Sequence, residues 1–488
     1  MAVPHVVVCG AGLTGLTTAW HLRQRGVDVT VLEAGETVGG VVQTTVRAGF
    51  LVEHGPNSCT LTAPIAQLID ALGLTPQLRR AAPQAQRRFI VRGGTPLAVP
   101  MSPGAMLRSP LFGAAAKLRV LAEPFIGRRR AADDESVADF VRRRLGPEPL
   151  AWAVDPFVSG VYAGDPAQLS VRHAFPRLAA LEREHGSLVR GMLAGARRSR
   201  SAGIPRATHT MISFRDGMAT LPRAIARELG GEVIQCGTRV TAITRHDAGC
   251  AVTYTRAGVA HRLAADVVVS TLPLHALTHV TLPATGSAAL TQLASVPYPP
   301  VVSLALGFRR ADVTHALDGF GCLIPSAERH DTLGVLFSST LFDGRAPDDQ
   351  VLLTCFIGGT RRPELAALET EALVARVVPE LRALFGITGA PTFVQHTTWP
   401  HAIPQFNVGH DANVHAAAAL EAELPGLLVD GQFRRGVSVG DCIASGEAIA
   451  ARAVALVQAL PVTGRTASSE SMGPVAEDHA DLLLPAVG

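Results

Sequence analysis

Residues 5–33, HVVVCGAGLTGLTTAWHLRQRGVDVTVLE, decide the fold. Val6–Val8 is a short apolar run that reads as a buried strand. It enters Gly10-x-Gly12-x-x-Gly15, and the residues that follow pattern as an amphipathic helix ending near Gly26. A second apolar run, Val29–Leu32, ends on Glu33. Each glycine has its own mechanical reason. Gly10 allows the tight turn, Gly12 lets the backbone approach a pyrophosphate, and Gly15 lets the helix pack closely on the strand. The N–H groups at the helix start then face the phosphates, and an acid about 20 residues on accepts from a ribose hydroxyl. The GxGxxG pattern alone is weak evidence. Here it stands between a strand and a helix with an acid at the right distance, which is the context that gives it meaning.

Glu33 disfavours a 2′-phosphate, so NADP does not fit and NAD or FAD remains. Further along stand Thr37-Val38-Gly39-Gly40 and then Glu53-His54-Gly55-Pro56-Asn57-Ser58. A glycine pair just after the acid offers a second close backbone approach. A later Gly-Pro turn can lay backbone against a flat ring. A simple NAD dehydrogenase has no need of either, and together they favour FAD lying extended through the domain.

At 488 residues the chain has room for two or three domains and ample core. Apolar residues make up 47% of it and aromatics only 5%. The mean hydropathy of +0.25 suggests a large apolar cavity or membrane contact. No run reaches the roughly 18 uninterrupted apolar residues that span a bilayer. The opening lacks a basic region followed by a cleavage site, so a cleaved leader is not expected. The net charge of +3 rests almost wholly on arginine, since Lys117 is the only lysine, and nothing in the pattern points to nucleic acid. The seven cysteines are Cys9, Cys59, Cys236, Cys250, Cys322, Cys355 and Cys442. They are odd in number and without CxxC spacing. A zinc site or a disulfide framework is therefore not expected, and a reducing interior fits best.

Texture divides the chain. Thr62–Leu74 reads as a helix, and Arg87–Val99, RRFIVRGGTPLAV, as a hairpin turning at Gly93-Gly94. Residues 103–200 are helical, with arginine clusters at Arg128–Arg130, Arg142–Arg144 and Arg197–Arg200. Residues 213–273 return to an α/β pattern, 298–360 are rich in strands, and a helix follows around Glu364–Leu384. From about Thr463 the tail is rich in Ser, Glu, Pro and Asp and reads as disordered. The fold expected is α/β and α+β. Residues 1–70, 210–280 and 395–460 form a discontinuous Rossmann-like FAD-binding domain. Residues 71–100 and 281–394 form a mixed-sheet substrate domain, and 101–209 a helical, membrane-facing one. Residues 463–488 are the tail.

Several blocks together carry a family resemblance: VVVCGAGLTGL, VEHGPNS, AQRRFIVRGGTPLAVP, VDPFVSGVYAGDPAQLSVRHAFP, SFRDGMATLPRAIA, DGFGCLIP, WPHAIPQFNVGH and GVSVGDCIASG. Over residues 5–458 the chain resembles the oxygen-dependent protoporphyrinogen oxidases, within the monoamine oxidase and phytoene desaturase superfamily. The resemblance implies noncovalent FAD, oxidation of a porphyrinogen to a porphyrin in three two-electron steps, and dioxygen as acceptor with release of hydrogen peroxide. No Ser/His/Asp triad or metal is implied, and no protein residue is assigned a catalytic role. The resemblance is compatible with a homodimer and with a cytoplasmic protein lying peripherally on the inner face of the cell membrane. In Pro100–Arg130 the apolar residues beside Arg108, Lys117, Arg119 and Arg128–Arg130 suit an interface-lying segment.

Residue roles follow from the matching positions. Gly10, Ala11, Gly12, Leu13, Thr14, Gly15, Glu33 and Ala34 take the AMP and pyrophosphate half of FAD. Gly40, Val41, Gly55, Pro56, Asn57 and Ser58 run along the flavin chain. Val240 offers backbone to the adenine end. Trp399 stands near the flavin, and Val437, Ser438 and Val439 form the closing turn. For substrate, Arg88 matches an arginine that pairs with a propionate, its fork suited to a carboxylate. Phe157, Gly160, Phe320, Gly321, Leu323 and Phe356 match the walls of a macrocycle pocket. The neutral Val41-Val42-Gln43 departs from relatives that carry a basic residue there. Alternatives are a coproporphyrinogen oxidase, an amine oxidase or desaturase, and a flavin-binding partner without turnover. Cys442 follows the closing turn and is poorly placed to bond flavin.

Overall fold

Val6, Val7 and Val8 have no solvent exposure, because the strand they form is covered on both faces, as parallel sheets are. The computed structural model describes residues 3–129, 134–201, 210–246, 249–283 and 287–459. The expected tail from Thr463 lies outside them. The first strand, His5–Cys9, is the middle of a five-stranded parallel sheet. Its order is Ile234–Gln235, Asp28–Leu32, His5–Cys9, Val267–Ser270, Leu427–Val429. Val6 pairs with Val29 on one side and Val267 on the other, so remote segments close one sheet.

The first helix, Leu13–Gln24, is less amphipathic than its sequence suggests, since Leu13–Ala19 are all buried. The reason is a second cover. The apolar helix Val439–Ala459 packs along it, with Ile443, Ile449, Ala450 and Ala453 in the same core as Leu13, Leu16 and Ala19. Close approach is forced by Gly446, where a Cβ would stand 2.7 Å from the Thr17 Cβ. Among the described residues this is the one helix long and apolar enough to cross a membrane, and it is part of the core.

A seven-stranded sheet forms the second body, in the order Phe393–Trp399, Val301–Arg309, Gln350–Gly358, Thr332–Leu336, Gly321–Leu323, Phe89–Arg92, Thr95–Ala98. All its pairs are antiparallel except that of Gly321–Leu323 with Phe89–Arg92. The hairpin turns at Gly93 and Gly94, at φ 61° and 72°, which two left-handed residues permit. Thr370–Phe385 packs behind this sheet through Leu373, Val377 and Leu381. Residues 103–129 and 134–201 are mostly helical, including Val137–Arg144, Asp155–Tyr162 and Pro176–His185.

Three domain boundaries shift. The strand Phe393–Trp399 pairs with Val301–Gly307, so the boundary at 394/395 cuts a strand of the seven-stranded sheet. Ala288–Ala294 packs with Asp411–Glu423 in the core against Val7 and Val268, so residues 281–283 and 287–296 go with the parallel sheet. Leu72 and Leu74 also belong to the nucleotide-side core, and Leu78–Arg80 pairs with Met211–Phe214 rather than with the hairpin.

Candidate active site

The parallel strands end at a cradle built from glycine. A Cβ on Gly15 would lie 1.9 Å from the Gly10 carbonyl oxygen, and one on Gly55 would lie 2.1 Å from the Val41 oxygen. Neither position tolerates a side chain. Gly12 is the opposite case: a Cβ there meets nothing within 4 Å. Its missing side chain therefore leaves open space above the start of the first helix, and that helix begins with no side-chain cap. Free N–H groups at a helix N-terminus, beside a gap that a Cβ would narrow, fit a pyrophosphate. Gly39 donates to the Ala11 carbonyl at 2.8 Å, and a Cβ on Gly40, at φ 58°, would stand 3.3 Å from Gly12. The two glycine motifs thus meet at one place.

Glu33 accepts from the Ala11 N–H at 2.7 Å on one oxygen and from the Gly35 N–H at 2.8 Å on the other. Each oxygen keeps lone-pair capacity for a ribose hydroxyl. Ala34 beside it is exposed. The Thr238 N–H donates to the Glu33 carbonyl at 2.8 Å, bringing Val240 alongside. The Val240 side chain is buried with Leu32 and Ile243, so main chain is what it has to offer an adenine. Leu13 and Thr14 are buried in the first helical turn.

Pro56, Asn57 and Ser58 are partly buried in the loop after Gly55, where the Asn57 amide donates to the Gly55 carbonyl at 3.2 Å. The Trp399 indole N–H donates to the His54 carbonyl at 2.8 Å, and the His54 ring is bonded to Thr397 at 2.6 Å and Thr45 at 2.9 Å. Desolvation lowers the His54 pKa. Behind this loop lies a pair that the sequence reading missed. Arg345 and Glu53 are both buried, 3.7 Å apart. Glu53 also accepts from Thr44 at 2.5 Å and the Met218 N–H at 2.9 Å. Burial raises the Glu53 pKa, against these bonds and Arg345. The only signal was the acid inside VEHGPNS. At the far side, Val437 is partly buried, and Ser438 caps the helix that Val439 begins, exchanging hydrogen bonds with Asp441 at 2.6 and 3.1 Å.

A second cavity, of about 520 Å³ with its open mouth, lies between the seven-stranded sheet and the helix Asp155–Tyr162. Arg88, Phe157, Gly160, Phe320, Gly321, Leu323 and Phe356 all line it. Strand register explains the sheet side. Leu323 pairs with Gly334 and Gly334 with Phe356, giving one row; Gly321 pairs with Leu336, giving the next. Phe89, Val161, Cys322, Gly334, Val335 and Leu336 also line the cavity and were missed; the strand residues among them follow from register, which one sequence does not specify. On the helix side a Cβ at Gly160 would stand 2.5 Å from a Leu323 methyl, so this glycine sets how near the two walls come.

Arg88 is exposed at this cavity, with its guanidinium carbon 5.1 Å from the Phe320 ring centroid. Desolvation lowers its pKa. Among the described residues no carboxylate pairs with it. Its neighbour Arg87 is instead ion-paired with Asp318. Burial lifts the Cys442 thiol to about 11, which keeps it protonated. No group of His, Cys, Asp and Glu among the described residues is arranged to hold a metal.

The profile of the family described as flavin containing amine oxidoreductase matches residues 13–454. The chain belongs to that family. It is an oxidoreductase, and its cofactor is FAD. Protoporphyrinogen oxidase 2 of Arabidopsis thaliana is 34% identical over 467 residues, covering 90% of this chain and 92% of the relative. Coproporphyrinogen III oxidase of Bacillus subtilis is 28% identical over 463 residues, covering 91% and 96%. A crystallised protein of Exiguobacterium sp. 255-15 superposes with a TM-score of 0.78 at 24% identity, over 93% of this chain and 99% of its own. At that identity it shows the fold of this flavoprotein family.

Proposed function

We propose that this flavoprotein oxidises protoporphyrinogen IX to protoporphyrin IX with dioxygen as acceptor, releasing hydrogen peroxide. One observation carries the reading: a largely apolar cavity whose lining holds a single cation, Arg88, with no partner carboxylate among the described residues. Bound FAD supplies the hydride acceptor. The protein's own residues do the rest. Phe157, Phe320 and Phe356 offer apolar walls to a macrocycle, and Gly160 keeps the helix wall near Leu323. Arg88 holds a propionate at the edge and so orients the ring. Gly10, Gly12, Gly15 and Glu33 hold the nucleotide half of the cofactor, and Trp399 braces the loop along its flavin half. Relatives named as protoporphyrinogen oxidases, at 31–34% identity over about nine-tenths of the chain, support this reading.

The Bacillus relative supports a second substrate, coproporphyrinogen III. That molecule carries four propionates, and a single cavity arginine suits two better than four. Oxygen uptake and porphyrin fluorescence, measured with each porphyrinogen in turn, test both. Faster turnover of protoporphyrinogen is expected. Preference for coproporphyrinogen would replace the substrate, and turnover of neither would remove the function.

Peripheral contact with the cytoplasmic face of a membrane completes the proposal. Leu107, Leu118, Leu121 and Phe125 are exposed on the segments between Pro103 and Phe125, with Phe125 at 85%. The helix Leu188–Ser201, whose first N–H groups donate to Glu123, adds exposed Met192 and Leu193. Exposed Arg108, Arg119, Arg128 and Arg129 lie on the same segments. Apolar residues edged by cations suit an anionic bilayer surface; Arg130 is outside the described residues.

A further inference from the structure

The helix Asp155–Tyr162 is a short wall with a break at each end. A π-turn, Leu150–Val154, precedes it, and Ala163 ends it in a left-handed conformation at φ 53°. Its eight residues show the cavity one face, Phe157, Gly160 and Val161, and turn another, Asp155 and Ser159, toward the end of the strand Gln350–Gly358. Just beyond that strand stands Arg361, with a mostly buried side chain. It donates to Ser159 Oγ at 2.7 Å and to Asp155 Oδ2 at 3.4 Å, both on the helix. Its other nitrogen donates to the Ile324 carbonyl at 3.1 Å, on the chain next to Leu323. Asp155 also accepts from the Ser326 N–H at 2.8 Å. The preceding residue, Thr360, donates through its N–H and hydroxyl to the Ala163 carbonyl, at 2.8 and 3.0 Å.

We infer that Arg361 is a positioning residue that clips the two walls of the cavity together and so sets the width of the slot that takes a flat substrate. The inference rests on the substrate reading above only for the identity of that substrate. Arg361 does not line the cavity. It acts through the helix. Bonds at positions 155 and 159, one turn apart, stop the helix rotating about its axis, which keeps Phe157, Gly160 and Val161 on the slot side. A planar guanidinium reaches three acceptors in different directions, and a lysine ammonium, without that rigid fork, reproduces this only in part.

The test compares wild type, Arg361→Met, Arg361→Lys and Ser159→Ala, each as FAD-loaded holoenzyme. In Arg361→Met, amide hydrogen exchange over residues 156–163 is expected to quicken by about tenfold, since charged hydrogen bonds holding the helix are lost, while exchange in Val6–Val8 stays unchanged. The KM for protoporphyrinogen is expected to rise about five- to tenfold, with kcat within about twofold of wild type. Arg361→Lys should recover part of both effects, and Ser159→Ala should show the exchange effect in weaker form. Adding Gly160→Ala probes the width directly. Its methyl narrows the slot, so its KM penalty should shrink when Arg361→Met lets the wall retreat, a coupling that a merely structural role would not give. Unchanged exchange over 156–163 in Arg361→Met overturns the inference. So does loss of FAD from both Arg361→Met and Ser159→Ala, which would make the contact a general prop. If wild type does not oxidise protoporphyrinogen, the substrate reading falls, and the exchange measurement still judges Arg361.

Discussion

The indole N–H of Trp399 donates to the main-chain carbonyl of His54 at 2.8 Å, so the edge strand of the seven-stranded sheet is bonded to the glycine-proline loop of the nucleotide side. Trp399→Phe keeps an aromatic side chain, though a smaller one than indole, and removes this bond. A net loss of about 0.5–1.5 kcal/mol is expected. It should appear as a lower melting temperature of the holoenzyme and a lower flavin-to-protein ratio after gel filtration. An unchanged ratio would place the bond outside cofactor retention.

Glu33 does two things at once, and its removal separates them poorly unless FAD is titrated. Glu33→Ala loses the acceptor for Ala11 and Gly35 and the acceptor for a ribose hydroxyl. At about 1.5–3 kcal/mol for a bond to a charged group, FAD affinity should fall about tenfold to a hundredfold. Glu33→Gln should retain more affinity than alanine. Fluorescence titration of apoprotein with FAD checks both. In the wild type, acid precipitation should release the flavin into the supernatant, because the buried, protonated Cys442 thiol is unsuited to a covalent link. Colour left in the pellet would contradict this.

Arg88 and Arg87 make a matched pair for kinetics. Arg88→Ala should raise the KM for protoporphyrinogen by about ten- to a hundredfold, the equivalent of a charge-assisted bond of about 1.5–3 kcal/mol. Arg88→Lys should recover part of this, keeping charge without the fork. Arg87→Ala breaks a surface pair with Asp318 and should leave KM within about twofold. Flavin spectra should stay normal in all three. A defect confined to Arg87→Ala would move the propionate contact one residue back.

The exposed apolar residues call for a different assay. Holoenzyme should pellet with vesicles containing anionic lipid at low salt, and be released by high salt or mild detergent. Leu121→Ser combined with Phe125→Ser should weaken that binding several-fold with no change in flavin content, since both side chains are exposed. Equal binding by wild type and the double variant would reassign the contact to another face.

Local segments were the readable ones. The strand, turn, helix and acid of residues 5–33 sit within one stretch, and each glycine's reason is steric, so single residues carry it. The hairpin at Gly93-Gly94 was legible for the same reason. The cavity was legible through resemblance, because alternating apolar residues in strands do not say which strand lies next to which. Gly334 and Leu336 join it through pairing with Leu323 and Gly321, a relation set by tertiary structure. Arg345 and Glu53 are far apart in the chain and meet only once the sheets assemble. The boundary at 394/395 was misplaced because the strand Phe393–Trp399 runs straight into the WPHAIPQF loop, with no break in pattern to mark the change of body.

The order of strands in the parallel sheet has a consequence for how this molecule is made. His5–Cys9 is synthesised well before its partner Val267–Ser270, the edge strand Leu427–Val429 comes later still, and the helix that covers Leu13–Gln24 later again. Folding during synthesis proceeds from the N-terminus, so the nascent nucleotide half must wait with unpaired strand edges while most of the chain is translated. Stable capture of the cofactor is thus expected only after Leu427–Val429 and the helix Val439–Ala459 have been made, and a fragment ending before them is expected to stay colourless.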